Sequence, residues 1–268
     1  MKKTIVMKFG GAAVATVNHF SKIADIVIER SKGYDRTAIV VSAMGTMTDD
    51  LIALAKQVHP NPPRREHDML ITAGERISIA LLSMALAAKE RIAVSFTGSQ
   101  SGIITSDDHA NATIVDVRPH RLLPHLDNGS IVIVAGFQGV STSREITTLG
   151  RGGSDTTAVA LATALEAYKV EFFKDVEGIY DKDPQKHCNA AIHHNLSYKH
   201  AMKISTSGAE VLHPRCIMLA ERNCIPLHVL PFHNLLTKKP LGTIIFNECG
   251  KRPQVPIYEP YKKTVDMK

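Results

Sequence analysis

Short apolar runs alternate with helical spacings along almost the whole chain, and that alternation limits the fold more than any other feature. The runs TIVMKF (4–9), RTAIVV (36–41) and IVIVA (131–135) are largely apolar, and each leads into a glycine-containing turn. A strand with one wet face alternates polar and apolar residues. A continuously apolar strand is buried on both faces, as in a parallel sheet. After the first run, Val17, Phe20, Ile23, Ala24, Val27 and Ile28 recur at the spacing of one helix face. The same reading predicts helices over 48–58, 67–89 (interrupted by Ala73-Gly74-Glu75-Arg76), 155–167 and 208–222, and a short one from Pro119 to Asn128-Gly129. It predicts further strands over 92–97, 169–173, 226–230 and 243–246. The implied fold class is α/β, with a mainly parallel central sheet covered by helices on both faces as a three-layer αβα sandwich. Ligands of such sheets sit outside the carboxyl ends of the strands, so the three glycine turns should converge on one crevice. The segment after Asn247 is rich in Pro and Lys without periodicity and reads as a loose tail.

The most informative turn is TTLGRGGSDTTA at 147–158, which runs straight into an apolar helical segment. Glycines let backbone N–H groups approach an anion, and the following helix adds its N-terminal dipole. Arg151 offers a planar fork for a carboxylate. Ser154 and Thr157 bring hydroxyls, and Asp155 suits a cation or a lysine partner. The plain alternative is an ordinary turn with Ser154 or Asp155 as the helix N-cap. Lys8 stands beside Gly10-Gly11, where an ammonium can meet phosphate oxygens. It precedes the glycines, so this is not a Walker loop. Glu75 could receive the ammonium of an amino acid, although by itself it reads more simply as a surface glutamate. In KDVEGIYDKDP (174–184), Asp175, Tyr180 and Asp183 could bracket a nucleotide, or form only a charged turn.

Composition narrows the partners. The formal net charge is +6, but the basic residues form no stripe and there is no tryptophan, which argues against nucleic acid. No run of about 18 apolar residues is evident, so no membrane span is expected. No secretory leader is read at the start. The four cysteines form no CxxC pair and suit free thiols in a reducing, cytoplasmic setting. The histidines around Cys188 match no common zinc spacing, so no metal site is expected there.

Seven segments in order resemble the aspartate kinase family, within the amino acid kinase superfamily. They are VMKFGG (6–11), VVSAMGTMTD (40–49), AGER (73–76), GFQG (136–139), TTLGRGGSDTTA (147–158), KDVEGIYDKDP (174–184) and SGAEVLHPR (207–215). The resemblance implies transfer of a phosphoryl group from Mg-ATP to the L-aspartate side chain, giving 4-phospho-L-aspartate. That reaction opens the route to lysine or diaminopimelate, threonine and methionine. The cosubstrates would be ATP with Mg²⁺, and the assembly a homodimer. By analogy, residues 1–247 form the catalytic domain: about 1–167 would bind aspartate and 168–247 the nucleotide. Arg151, Ser154, Ser42 and Thr48 would hold aspartate, Glu75 its ammonium, and Phe137 would line the pocket. Lys8, Gly10 and Gly11 would hold phosphates, with Asp155 orienting lysine groups. Asp175, Tyr180 and Asp183 would surround the nucleotide.

The chain departs from the family pattern in several places. Ala12-Ala13 stand where relatives carry hydroxyl residues after the glycines. Glu210 stands where a lysine is usual, which leaves Lys174 or Lys182 to neutralise phosphate. Lys174 itself replaces a threonine of some members. Residues 248–268 are too few for the paired ACT regulatory modules of the family, so feedback inhibition by lysine or threonine is not expected. The alternatives are a kinase for a related amino acid and a catalytically weak binding homologue.

Overall fold

The computed structural model describes residues 2–182, 184, 186–187, 189–207, 211–233, 242–247 and 252–260. Asp183, an expected site residue, and Glu210, a departure from the family pattern, lie outside them. The strands are β1 (Thr4–Phe9), β2 (Arg36–Val41), β3 (Ala93–Phe96), β4 (Ile103–Thr105), β5 (Ile114–Val117), β6 (Ile131–Ala135) and β7 (Gln138–Ser141). They continue as β8 (Ile146–Thr148), β9 (Lys169–Lys174), β10 (Ile179–Tyr180), β11 (Ile192–His193), β12 (Asn195–Leu196), β13 (Leu227–Pro231) and β14 (Thr243–Ile245). The helices are α1 (Val17–Ser31), α2 (Met47–Val58), α3 (Arg64–Ile71), α4 (Ala73–Ala87), α5 (Leu123–Asp127), α6 (Gly153–Ala164), α7 (Tyr198–Thr206) and α8 (Pro214–Arg222).

The main sheet has the order β12-β14-β13-β9-β1-β2-β6-β3, parallel throughout except for the β13–β14 pair. Alternation along each strand sends side chains to two cores. Val6, Ala38, Val40, Val132, Val134, Val170 and Phe172 pack with the buried residues of α6 and α8. Ile5, Met7, Phe9, Ile39, Val41, Ile133 and Phe173 pack with α1 and α4 on the other face. Lys8 shares the parity of Val6, so it points to the α6 face. Glu171 in β9, fully buried, shares the parity of Phe173 and accepts a two-pronged contact from Arg30 of α1 and an ion pair from Lys169 at 2.6 Å. β1 lies between β2 and β9: the chain leaves β1 through α1 on one face to reach β2, and enters β9 from α6 on the other face. That makes the carboxyl end of β1 the switch point at which open α/β sheets form a crevice.

Several sequence expectations change. The long 67–89 helix is two helices joined at Thr72. The helix expected over 208–222 is shorter, α8, and a separate α7 precedes it. A second sheet, β5-β4-β7-β8, was not anticipated; its strands are three or four residues long. The tail is not loose over residues 252–260. Arg252 donates to the carbonyls of Ala167 and Tyr168, at 2.8 and 3.3 Å. Ile257 exchanges two hydrogen bonds with the Asn223 side chain, at 2.7 and 2.9 Å. Glu259 pairs through its backbone and side chain with Ile114 of β5. Residues 64–87 form one helical stretch long and apolar enough to cross a membrane. Its Ile79, Leu82 and Leu86 are buried against the sheet and its Asp68 and Glu75 are buried polar residues, as suits a core helix.

Candidate functional site

The turns after β1, β2 and β6 meet the 147–155 turn around a cleft of about 500 Å³. Its wall includes Lys8, Gly11, Ser42, Thr48, Glu75, Phe137, Arg151, Ser154 and Asp155. Nine of the expected site residues, drawn from well-separated parts of the chain, therefore share one cavity. A second cavity of about 290 Å³ adjoins it across Arg151, Gly152 and Asp155, and is walled on its far side by Lys174 and His213. Gly10 is the turn directly over the Lys8 ammonium, where an added Cβ would lie 3.5 Å from Nζ. Asp175 is exposed and Tyr180 half-buried, and neither lines these two cavities.

Asp155 joins the two cavities. It sits in the first turn of α6, and its carboxylate meets Lys8 Nζ at 2.6 Å and Lys174 Nζ at 2.9 Å. Burial acts to raise the Asp155 carboxyl, but the two lysines overcome it and hold the group down at about 2. The lysine side shows the same contest. Burial draws Lys8 below its ordinary value, Asp155 resists, and the like charge of Lys174 lowers it further. A paired but crowded pair of ammonium groups is well suited to receive an additional anion.

Local backbone explains the turn. Gly152, not Ser154 or Asp155, is the α6 N-cap, with φ of 69° in the left-handed region. A Cβ there would stand 2.2 Å from the His213 ring, so only glycine fits both the conformation and the neighbour. Ser154 reaches the cleft because Gly136 leaves room: a Cβ at 136 would stand 2.8 Å from the serine side chain. Phe137 adopts φ of 68°, uncommon for a bulky residue. Its N–H donates to Thr157 Oγ1 at 3.1 Å and its carbonyl accepts from Leu149 N–H at 2.9 Å.

Glu75 is buried rather than at the surface. Gly74 lets α4 close on the β2 turn, since a Cβ there would meet the Ala43 methyl at 2.7 Å. The Ala43 N–H then donates to Glu75 Oε1 at 3.1 Å, while Oε2 has no hydrogen-bond partner. Burial pushes the carboxyl up to about 7, against that hydrogen bond and the charge of Lys8. Arg151 is solvent-exposed at the cleft mouth.

Sequence reading missed Asp68. It is fully buried in α3 and accepts from Thr148 Oγ1 at 2.6 Å, Thr148 N–H at 3.1 Å and Ala110 N–H at 3.0 Å, and pairs with His109 Nδ1 at 2.8 Å. It thereby ties α3 to the start of the 147–155 turn. The signal was an acid three residues before Ile71 on the buried face of an otherwise polar helix. Among the described residues, no group of three or more His, Cys, Asp or Glu side chains could hold a metal ion.

The family model described as "Amino acid kinase family" matches residues 3–231. The chain belongs to the amino acid kinase family. Among its relatives, an aspartokinase of Mycolicibacterium smegmatis is 49% identical over 242 residues, which is 90% of this chain and 56% of that protein. An aspartate kinase structure from Synechocystis has a TM-score of 0.80 at 39% identity, covering 94% of this chain and 40% of that one. E. coli aspartokinase III, solved with aspartate and ADP, also gives a TM-score of 0.80, at 28% identity over 92% of this chain and 65% of that one. This amino acid kinase thus spans little more than half the length of the curated relatives it matches, 56% and 59% in two cases. The three-layer sandwich with its mainly parallel sheet is the fold shared with these structures.

Proposed function

We propose that this chain carries out the ATP-dependent phosphorylation of the L-aspartate side-chain carboxylate. The observation that carries the reading is Asp155, buried at the seam of the two cavities and clamping Lys8 and Lys174 side by side. Its relatives' names support it, as does the aspartate and ADP held by E. coli aspartokinase III.

In this reading the larger cleft holds aspartate. Arg151 pairs with a substrate carboxylate, Ser42, Thr48 and Ser154 hydrogen-bond to it, and Phe137 forms a wall. The orphaned Glu75 Oε2 takes the α-ammonium, which would also ionise that carboxyl. The phosphate chain crosses the seam at Asp155 from the larger cleft into the smaller cavity. Lys8 and the Gly10-Gly11 backbone neutralise it from one side and Lys174 from the other. Asp175, Tyr180 and Asp183 contribute further out along the nucleotide. Mg²⁺ bound with ATP would supply further positive charge at the phosphates beside Lys8 and Lys174. The attacking carboxylate is already ionised at neutral pH, so no general base is required. What the protein supplies is positioning and charge for in-line transfer between two anions, without a phosphoenzyme. ATP and free amino acids are cytoplasmic, and there we place the protein.

Hydroxylamine trapping of the acyl phosphate, with Mg-ATP and aspartate, glutamate or related acids, tests the proposal. Aspartate should give hydroxamate well above the others. Preference for another acid moves the assignment to that substrate, and nucleotide binding without turnover makes the chain a binding homologue.

A further inference from the structure

The SGAEVLHPR segment contains an arginine that the proposed chemistry does not use. Arg215, in the first turn of α8, spreads its guanidinium over three partners. One terminal nitrogen donates to the carbonyl of Leu149, the residue just before Gly150-Arg151. The other donates to Ala112 O at 2.9 Å and Glu259 Oε2 at 2.9 Å, and Nε donates to Glu259 Oε1 at 2.7 Å. Glu259 is itself fixed, since Oε2 accepts from Ile114 N–H at 2.8 Å and its own N–H donates to Ile114 O at 3.1 Å. Glu259 lies 10% exposed and Arg215 19% exposed, so the pair is shielded from screening.

We infer that Arg215 is a positioning residue for the substrate turn, and that Glu259, in the 252–260 strap, sets its orientation. A guanidinium is a rigid planar fork. When Glu259 holds one edge, the free nitrogen can point only at Leu149 O. Pulling the strap away frees the fork to rotate and releases the carbonyl that leads into Gly150, Arg151 and Gly152. Across the same turn, the His213 ring sits against Gly152. α8 and its N-cap therefore grip the turn from both flanks, at Arg215 and His213. Any element that displaces residues 252–260 can thereby loosen the aspartate cleft from outside it. The catalytic consequence rests on the function proposed above; the mechanical coupling does not.

The test combines hydrogen–deuterium exchange on the ligand-free full chain with steady-state kinetics. Leu149 and Gly153 N–H groups are hydrogen-bonded in the turn, to Phe137 O and Gly150 O. Glu259→Ala should speed exchange across 149–153 by about tenfold and raise the aspartate KM by a similar factor, with the ATP KM within about twofold. Glu259→Gln, which keeps the shape and one acceptor, should fall between wild type and Glu259→Ala. Arg215→Lys, which keeps charge but loses the fork, should reproduce Glu259→Ala even if that variant folds poorly. Asn223→Ala cuts a second anchor of the strap but leaves the Arg215–Glu259 contact in place, so exchange at 149–153 should rise less than in Glu259→Ala. Unchanged exchange in Glu259→Gln and Arg215→Lys, or an equal rise in Asn223→Ala, overturns the inference. A wild-type chain without aspartate turnover removes the functional reading, while exchange still judges the coupling.

Discussion

At the scale of single residues, three charges divide the proposed work. Lys8 is buried and paired, so its loss leaves Asp155 with one lysine and the phosphates with one cation fewer. Lys8→Met should lower kcat on the order of a hundredfold or more while the aspartate KM moves little, as initial-rate hydroxamate assays would show. Arg151 is different because it is exposed. Its removal forfeits charge-assisted hydrogen bonds without stranding a buried partner, so Arg151→Ala should cost roughly 1.5–3 kcal/mol in kcat/KM for aspartate. A deficit shared equally by ATP would remove it from the aspartate side. Glu75 carries a stability signature as well. Its folded value near 7 lies above the ordinary carboxylate value of 4.5. The native state therefore holds this proton more tightly than the unfolded chain. The associated stability is fully present below about pH 4.5 and is lost as pH rises through 7, a swing of about 3 kcal/mol. Glu75→Gln should melt higher than wild type at pH 8, with the gain shrinking toward pH 5, and should bind aspartate poorly. A variant that melts lower at pH 8 would show that the carboxylate is satisfied in the native state.

At the scale of elements, the α6 turn tolerates little change. Gly152→Ala combines a left-handed backbone with a clash against His213 and should cost roughly 2–4 kcal/mol in urea unfolding; a loss under 1 kcal/mol would mean that α8 yields readily. Long elements were legible because their periodicity is strong. α1, β2 and β6 fall where the apolar spacing places them, and the buried 131–135 run needs two covered faces. The small sheet was not legible for the opposite reason. β4, β7 and β8 span one pleat repeat or two, and Gly139 within β7 reads locally as a turn. Its glycine serves close packing, since a Cβ there would meet Thr105 and Ile103 of β4. The strap was illegible too, because its hold comes from side chains rather than from a ladder. In the site, the motif glycines and charges were visible as a set, whereas Asp68 acts through contacts that only the assembled fold creates.

At the scale of the whole molecule, the cleft is a meeting of segments from residue 8 to residue 155, and the smaller cavity reaches to residue 213. Ligands that bridge them should stabilise the chain as a unit. At a hundred times its dissociation constant, each of aspartate and Mg-ADP should add about 2.7 kcal/mol, visible as a rise in Tm. Arg151→Ala should lose the aspartate increment and keep that of the nucleotide. The position of β1 has another consequence. It leaves the ribosome long before β9, yet it sits in the middle of the sheet, and one of its two hydrogen-bonding edges belongs to β9. Well over a hundred residues must be translated before that edge closes. Meanwhile an apolar strand carrying Lys8 waits beside β2 with one side bare, in the state most open to strand addition by another nascent chain. Synthesis rate and holding chaperones should therefore govern the soluble yield of this chain more than the final stability of its fold.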